Sequence, residues 1–241
     1  MTNVDYALFI TGNPGSGKSF IANNLGANFR TGFSMHGGGV TTEVQSAEVT
    51  IESQRVLLVD APGLIEADYQ ATQRNAGMIT DALGISRHTP CKIGVIVTDH
   101  NGRIQQADLL LIKKVHEALT PAFEFLLIVN QIRRRNITNY ATRECLTALV
   151  QTIQSRTGAD VRIDRVIAIA DFEPEQRPDM APLIRMLGSI NQQSAEDVKP
   201  IVISTEEHQS LGEKILFYVY RTLKIIASLA GPMLMIGQMI M

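Results

Sequence analysis

The sequence predicts an α/β fold: three layers around a mostly parallel sheet, followed by a hydrophobic C-terminal helix. Three observations predict it. Short runs rich in Val, Ile and Leu alternate with helical patterns along most of the 241-residue chain. A glycine-rich loop, residues 12–19, joins the first apolar run to the first helical pattern. Residues 225–241 carry no charged side chain.

The expected strands are Tyr6 to Thr11, Val56 to Asp60, Ile93 to Thr98, Phe123 to Asn130 and Val166 to Ala170. Several are nearly unbroken in Val, Ile and Leu, as strands buried on both faces of a parallel sheet must be. Helices are expected near 18–26, 105–119 and 140–155. In the second, Leu109, Ile112, Val115 and Leu119 recur at helical spacing while Lys113, Lys114 and Glu117 take other faces. Val44 to Ile51 alternates and carries Gln45, Glu48 and Thr50, the pattern of an antiparallel edge strand paired with Val56 to Asp60 across the turn from Glu52 to Arg55. The polar stretch from Asn191 to Pro200 reads as a surface connection. It sets a domain over 1–200 apart from a helical tail over 201–241.

Composition narrows the function. With 45% apolar and 19% charged residues the chain has material for a core. A net charge of −2 and a pI near 6.2 give no electrostatic footprint for nucleic acid, so no nucleic-acid partner is expected. Arg133, Arg134 and Arg135 are the one compact basic cluster, read as a solvated loop or helix start. The alternative is an arginine reaching a neighbouring copy's phosphates. Cys91 and Cys145 form no Cys-x-x-Cys pair, which suits a reducing cytoplasm. The N-terminus lacks a secretory pattern, so the expected location is cytoplasmic, with the cytosolic face of a membrane as the alternative the tail raises.

Gly12-Asn13-Pro14-Gly15-Ser16-Gly17-Lys18-Ser19 matches the P-loop pattern at every fixed position, with a strand before it and a helix after. Glycines let backbone N–H groups turn inward around phosphates, Lys18 is placed to reach the β and γ phosphates, and the Ser19 hydroxyl to bind Mg²⁺. Asp60, at the end of an apolar strand, is the expected carboxylate partner of that metal. His36-Gly37-Gly38-Gly39 resembles the oxyanion segment of esterases, but the chain holds no Gly-x-Ser-x-Gly nucleophile elbow to go with it.

Asp60-Ala61-Pro62-Gly63 is similar to the Asp-x-x-Gly of GTPases, a resemblance that gives the Gly63 N–H the task of sensing the γ phosphate. Thr31 to Thr42 has the length and place of a switch loop whose threonine completes the metal shell; Thr41 is expected, with Thr42 as the alternative. Together with Gly39-Val40-Thr41, Leu64, and Thr98 followed by Gly102-Arg103-Ile104-Gln105-Gln106-Ala107-Asp108, these motifs resemble the translation-factor-related class of P-loop GTPases. Within it they look like the GIMAP or avirulence-induced-gene type and its protist and fungal relatives. The likeness spans about residues 5–190.

The resemblance implies a switch that binds GTP and GDP with Mg²⁺, hydrolyses GTP slowly and forms a homodimer or oligomer through its switch face. Lys18, Thr41 and Gly63 would serve catalysis, and Ser19, Thr41 and Asp60 the metal. Two departures bear on this. Where the family reads guanine with Asn-Lys-x-Asp, this chain has Asn130-Gln131-Ile132-Arg133. Asn130 can still contact the base, but a guanidinium is a donor only and cannot accept from guanine N1–H and N2–H₂. ATP therefore stays open beside GTP. Leu64 stands where Ras-like enzymes carry the glutamine that orients water, and it can neither donate nor accept. A nucleotide-dependent scaffold that does not hydrolyse is thus the rival reading.

Ser204 and Glu207 have capping-box spacing and open a helical pattern, and Arg221 and Lys224 are the last charges before the apolar run. That run is short for a span, and Gly231-Pro232 interrupts it. A membrane tail anchor, an oligomer-forming or interfacial helix, and a helix buried on the domain are the three readings.

Overall fold

The first strand, β1 (Tyr6–Gly12), is buried along its whole length, so other layers must cover both of its faces. The computed structural model describes residues 4–30, 43–171 and 178–211. Thr31 to Thr42, including Thr41, Thr42 and the His36 to Gly39 segment, and the apolar run 225–241 lie outside the described residues.

The chain forms two compact units, 1–202 and 203–241. In the first, β1 leads into α1 (Lys18–Asn24), the hairpin β2 (Gln45–Ile51) and β3 (Gln54–Asp60), α2 (Tyr69–Leu83), β4 (Cys91–Thr98) and α3 (Gln106–Ala118). There follow β5 (Leu119–Thr120), β6 (Phe125–Ile132), α4 (Arg143–Thr157), β7 (Val166–Ala170), α5 (Ala181–Ser189) and β8 (Asp197–Val198). Six strands make one sheet in the order β2-β3-β1-β4-β6-β7. Every neighbouring pair is parallel except β2 with β3, which run antiparallel from Gln45 opposite Asp60 to Ile51 opposite Gln54. The α/β fold with a mostly parallel sheet is therefore as expected, edge hairpin included.

Side-chain alternation divides the core. Tyr6, Leu8 and Ile10 of β1 pack with Ile21 and Leu25 of the α1 segment and with Leu183 and Leu187 of α5. Ala7 and Phe9 point the other way, toward Ala82 and Leu83 of α2. Helices thus cover both faces of the sheet. Because the parallel strands all run the same way, the carboxyl ends of β1, β3, β4 and β6 meet along one rim.

Three features differ from expectation. Helix α2 was not anticipated, because its buried positions are Thr72, Asn75, Ala76, Ile79, Ala82 and Leu83. They recur at helical spacing but include few large apolar residues, so the stripe is invisible to a hydrophobicity reading. Helix α5 is nine residues long and shows only Leu183 and Leu187 as its buried pair. Asn191 to Pro200 is no mere surface connection: Ala195 and Val198 are buried, β8 pairs with β5, and Gln193 exchanges two backbone hydrogen bonds with Cys91 at 2.7 and 2.9 Å.

In the second unit a helix covers 205–211. The Glu207 N–H donates to Ser204 Oγ at 3.1 Å, and the Ser204 N–H donates to Glu207 Oε2 at 2.8 Å. Both halves of the capping box are formed. Among the described residues no helix is long and apolar enough to cross a membrane.

Asp68 caps α2 by accepting from the Ala71 N–H at 2.7 Å. Removing an N-cap acceptor costs about 1 kcal/mol. Asp68→Ala is expected to lower stability by that amount in urea unfolding, and an unchanged midpoint would show that the cap contributes nothing.

Candidate functional site

The loop between β1 and α1 closes around its own backbone. The Ser16 N–H donates to the Asn13 carbonyl at 3.2 Å, and Lys18 Nζ donates to the same carbonyl at 3.1 Å. Gly17 holds φ 89°, a left-handed conformation, at the start of α1. A Cβ there would also meet Asn130 Nδ2 at 2.5 Å. Glycine is required twice over, by its backbone angle and by the neighbour. With glycine as N-cap, no side chain caps the first turn of α1.

One strand end and one helix start supply the charges. Asp60, at the end of β3, is fully buried, and its Oδ2 accepts from Ser19 Oγ at 2.6 Å. Its other oxygen, Oδ1, is buried without a hydrogen-bond partner among the described residues. Burial raises the Asp60 carboxyl, an effect the Ser19 hydroxyl and the Lys18 charge oppose. Burial lowers the Lys18 ammonium, opposed by Asp60, Glu66 and Asp108. A hydroxyl and a carboxylate side by side, with one buried carboxylate oxygen unsatisfied, are the hard oxygen donors that Mg²⁺ takes. The residues present fit that ion.

β6 braces the loop from the opposite side. Asn130 Nδ2 donates to the Ser16 carbonyl at 2.8 Å, and Gln131 Nε2 donates to the Gly15 carbonyl at 2.6 Å. The amide of Asn130 is thus engaged with the loop. Arg133, Arg134 and Arg135 are exposed, the last two within a short 3-10 turn, Arg134–Asn136. Asp99, just past β4, fixes the segment that follows: it accepts from Tyr140 Oη at 2.8 Å and from Asn136 Nδ2 at 3.3 Å.

The segment after Asp60 is held residue by residue. A Cβ on Gly63 would collide with the Pro14 ring and backbone nitrogen, so this loop and the glycine-rich loop lie against each other. The Gly63 carbonyl accepts from Asn75 Nδ2 at 2.6 Å. Leu64 is fully buried. The Ile65 N–H donates to Asn13 Oδ1 at 3.2 Å, and the Glu66 N–H to Thr72 Oγ1 at 3.0 Å. Asn13 reaches further, donating through Nδ2 to Asp108 Oδ1 at 2.8 Å. Asp108 Oδ2 accepts from the Thr98 N–H at 3.3 Å.

The structure therefore brings together Gly12, Asn13, Pro14, Gly15, Ser16, Gly17, Lys18, Ser19, Asp60, Gly63 and Asn130. Sequence reading missed Asn75 and Asp99, and it gave Asp108 only as the end of a family-like stretch, with no role in the site. A signal for Asp108 existed: it precedes Ile112 by four positions and Val115 by seven, which puts a carboxylate on the apolar face of α3.

A parallel sheet flanked by helices, with a glycine-rich loop cradling a buried lysine beside a hydroxyl–carboxylate pair, defines a P-loop nucleoside triphosphatase domain, and the Asp-x-x-Gly loop packed on it defines one of the GTPase type. The family profile of 50S ribosome-binding GTPases matches residues 7–131, more than half of the chain, and the chain belongs to that family. No curated protein matches it. Among solved structures it is similar to Toc33 from Arabidopsis thaliana in complex with GDP and Mg²⁺, at 15% identity and a TM-score of 0.53, covering 81% of this chain and 87% of that one. Toc33 with Mg²⁺ and GMPPNP matches at 14% identity and a TM-score of 0.48, over 71% and 73% of the two chains. The cytosolic domain of L. pneumophila FeoB matches at 20% identity and a TM-score of 0.42, over 89% and 82%.

Burial raises the Asp108 carboxyl from 3.8 to about 6, against the hydrogen bonds from Asn13 and Thr98 and the charges of Lys18 and His100. The native state then binds the more protons, so stability is full below the unfolded value and is lost as pH rises through the folded one. The shift corresponds to about 3 kcal/mol. Urea unfolding of the nucleotide-free protein from pH 4 to 7 is expected to show Asp108→Asn gaining about that much on the native chain as pH rises. Parallel curves would mean that the ionised carboxylate is not penalised in the fold.

Proposed function

We propose that this protein is a guanine-nucleotide switch of the GIMAP or avirulence-induced-gene type, with slow Mg²⁺-dependent GTP hydrolysis that rises when copies associate through the switch face. One observation carries the reading: Ser19 Oγ and Asp60 Oδ2 lie 2.6 Å apart beside buried Lys18, with Asp60 Oδ1 unsatisfied among the described residues. Membership of a GTPase family supports GTP as the nucleotide. So does the GDP and Mg²⁺ complex of Toc33, carried to this chain as part of the proposal.

Each residue has a task in this reading. The backbone of Gly12 to Gly17 cradles the phosphates, and Lys18 places its charge on the β and γ groups. Ser19 and Asp60 hold Mg²⁺, with Thr41 as the expected third ligand. Bound there, Mg²⁺ neutralises charge on the β- and γ-phosphate oxygens. Gly63 presents its N–H toward the γ phosphate. Asn130 holds the cradle from the base side. Hydrolysis is slow because buried Leu64 offers no polar atom to orient water. The same leucine, and the pinning of the segment from Gly63 to Glu66, favour a second reading: a scaffold that binds nucleotide without turning it over. For the tail, the proposal is a membrane anchor with Arg221 and Lys224 at the cytosolic boundary.

The test is equilibrium binding of fluorescent GTP, GDP and ATP analogues to the full chain, with and without Mg²⁺. GTP and GDP are expected to outbind ATP, with Lys18→Ala weakening binding at least about tenfold, the worth of one charged hydrogen bond. Ser19→Ala is expected to erase most of the Mg²⁺ dependence. Equal binding of ATP would defeat the guanine reading, and no binding would defeat the switch. Turnover is expected on the order of 10⁻³ s⁻¹ or slower for the dilute protein. Flotation with anionic vesicles is expected for the full chain and not after deletion of 225–241; flotation of both would remove the anchor.

A further inference from the structure

A side-chain chain of contacts runs from α3 to the segment that follows Asp60, and it passes through the phosphate loop. Asp108 is buried, at 2% exposure, and has two protein donors, Asn13 Nδ2 on Oδ1 and the Thr98 N–H on Oδ2. Asn13 is also buried, and its amide has one orientation that satisfies both neighbours: NH₂ toward Asp108, carbonyl toward the Ile65 N–H. A carboxylate at 108 can only accept, so it forces that orientation. With the amide so turned, the carbonyl at its other end is what holds Ile65, two residues from Gly63. The backbone carbonyl of the same Asn13 receives Lys18 Nζ.

We propose that Asp108 is a positioning residue for the phosphate site: by orienting the Asn13 amide it holds the Gly63 to Ile65 segment in register with the glycine-rich loop, and so sets the preference for triphosphate over diphosphate. This rests on the reading of the site as a nucleotide switch. The preference follows because, on the proposed reading, the diphosphate is held by the loop, Lys18 and the metal that Ser19 and Asp60 would hold, whereas the terminal phosphate needs the segment around Gly63 as well. Loosening that segment weakens triphosphate binding selectively.

The substitution that tests it is Asp108→Asn, which keeps the shape and removes one acceptor. An amide at 108 can satisfy Asn13 Nδ2 or the Thr98 N–H but not both. In the full chain with Mg²⁺, the ratio of GMPPNP to GDP affinity is expected to fall about tenfold, one charge-assisted hydrogen bond, with GDP affinity within about twofold of the native protein. Asn13→Ala is expected to lower the same ratio, and adding Asp108→Asn to it to lower the ratio no further, because the aspartate acts through the asparagine. Equal losses for both nucleotides, or independent losses that multiply in the double variant, would overturn the proposal.

A second readout needs no nucleotide. Hydrogen exchange at the Ile65 amide is expected to quicken about tenfold in Asp108→Asn, and an unchanged rate would overturn the linkage. If the native protein binds neither nucleotide while this exchange responds, the switch reading fails and the linkage stands. If the native protein binds both and the ratio ignores Asp108, the linkage to the phosphate site fails and the switch reading stands.

Discussion

Two opposite charges kept out of water, Lys18 at the start of α1 and Asp60 at the end of β3, set the terms for everything around them. Lys18 and Asp60 are both buried, and burial works against each, lowering the ammonium and raising the carboxyl. Such charges persist only where partners offset the loss of hydration. Here each charge offsets the other, Ser19 bonds one carboxylate oxygen and the Asn13 carbonyl takes the ammonium. The remaining Asp60 oxygen has no partner among the described residues, which leaves it open to a cation from outside. A site that stabilises itself fully would have no reason to bind anything; this one stops short by one oxygen.

The fold supplies the rigidity that such a site needs. β1 is buried throughout, and its neighbours β3 and β4 lock it in parallel register from both sides, so Gly12 and Asp60 emerge at fixed positions on the same rim. The loops on that rim are then joined by side-chain amides and carboxylates as well as by packing: Asn130 and Gln131 to the glycine loop, Asn75 to Gly63, Asn13 to Ile65, Asp99 to Tyr140. Hydrogen bonds of this kind are directional and exchangeable, unlike packed methyl groups. They hold the one geometry described here through specific donor and acceptor pairs.

Legibility in the sequence followed the chemistry of each part. Strands announced themselves because burial on both faces demands unbroken Val, Ile and Leu, and the β2–β3 hairpin because its edge position demands alternation. The phosphate loop was readable because glycine, lysine and serine at fixed spacing have few other uses. Helix α2 was not, since its buried positions include Thr72, Asn75 and Ala76, which are polar or small. The hydrogen-bond partners were illegible for a related reason: Asn13, Asn75 and Asp108 act through pairings up to 95 positions apart, and one sequence carries no record of which amide meets which acid.

The hairpin turn at Glu52 and Ser53 has a use beyond closing the edge of the sheet. Both residues are exposed, Glu52 adopts φ 54°, and the turn lies at the end of β3 opposite Asp60. The six intervening residues put roughly 20 Å of strand between it and the rim. A dye, an affinity peptide or a surface tether attached there would report on or immobilise the molecule while leaving the phosphate loop facing solution. The sheet thus provides its own handle, on the side where the chemistry is not.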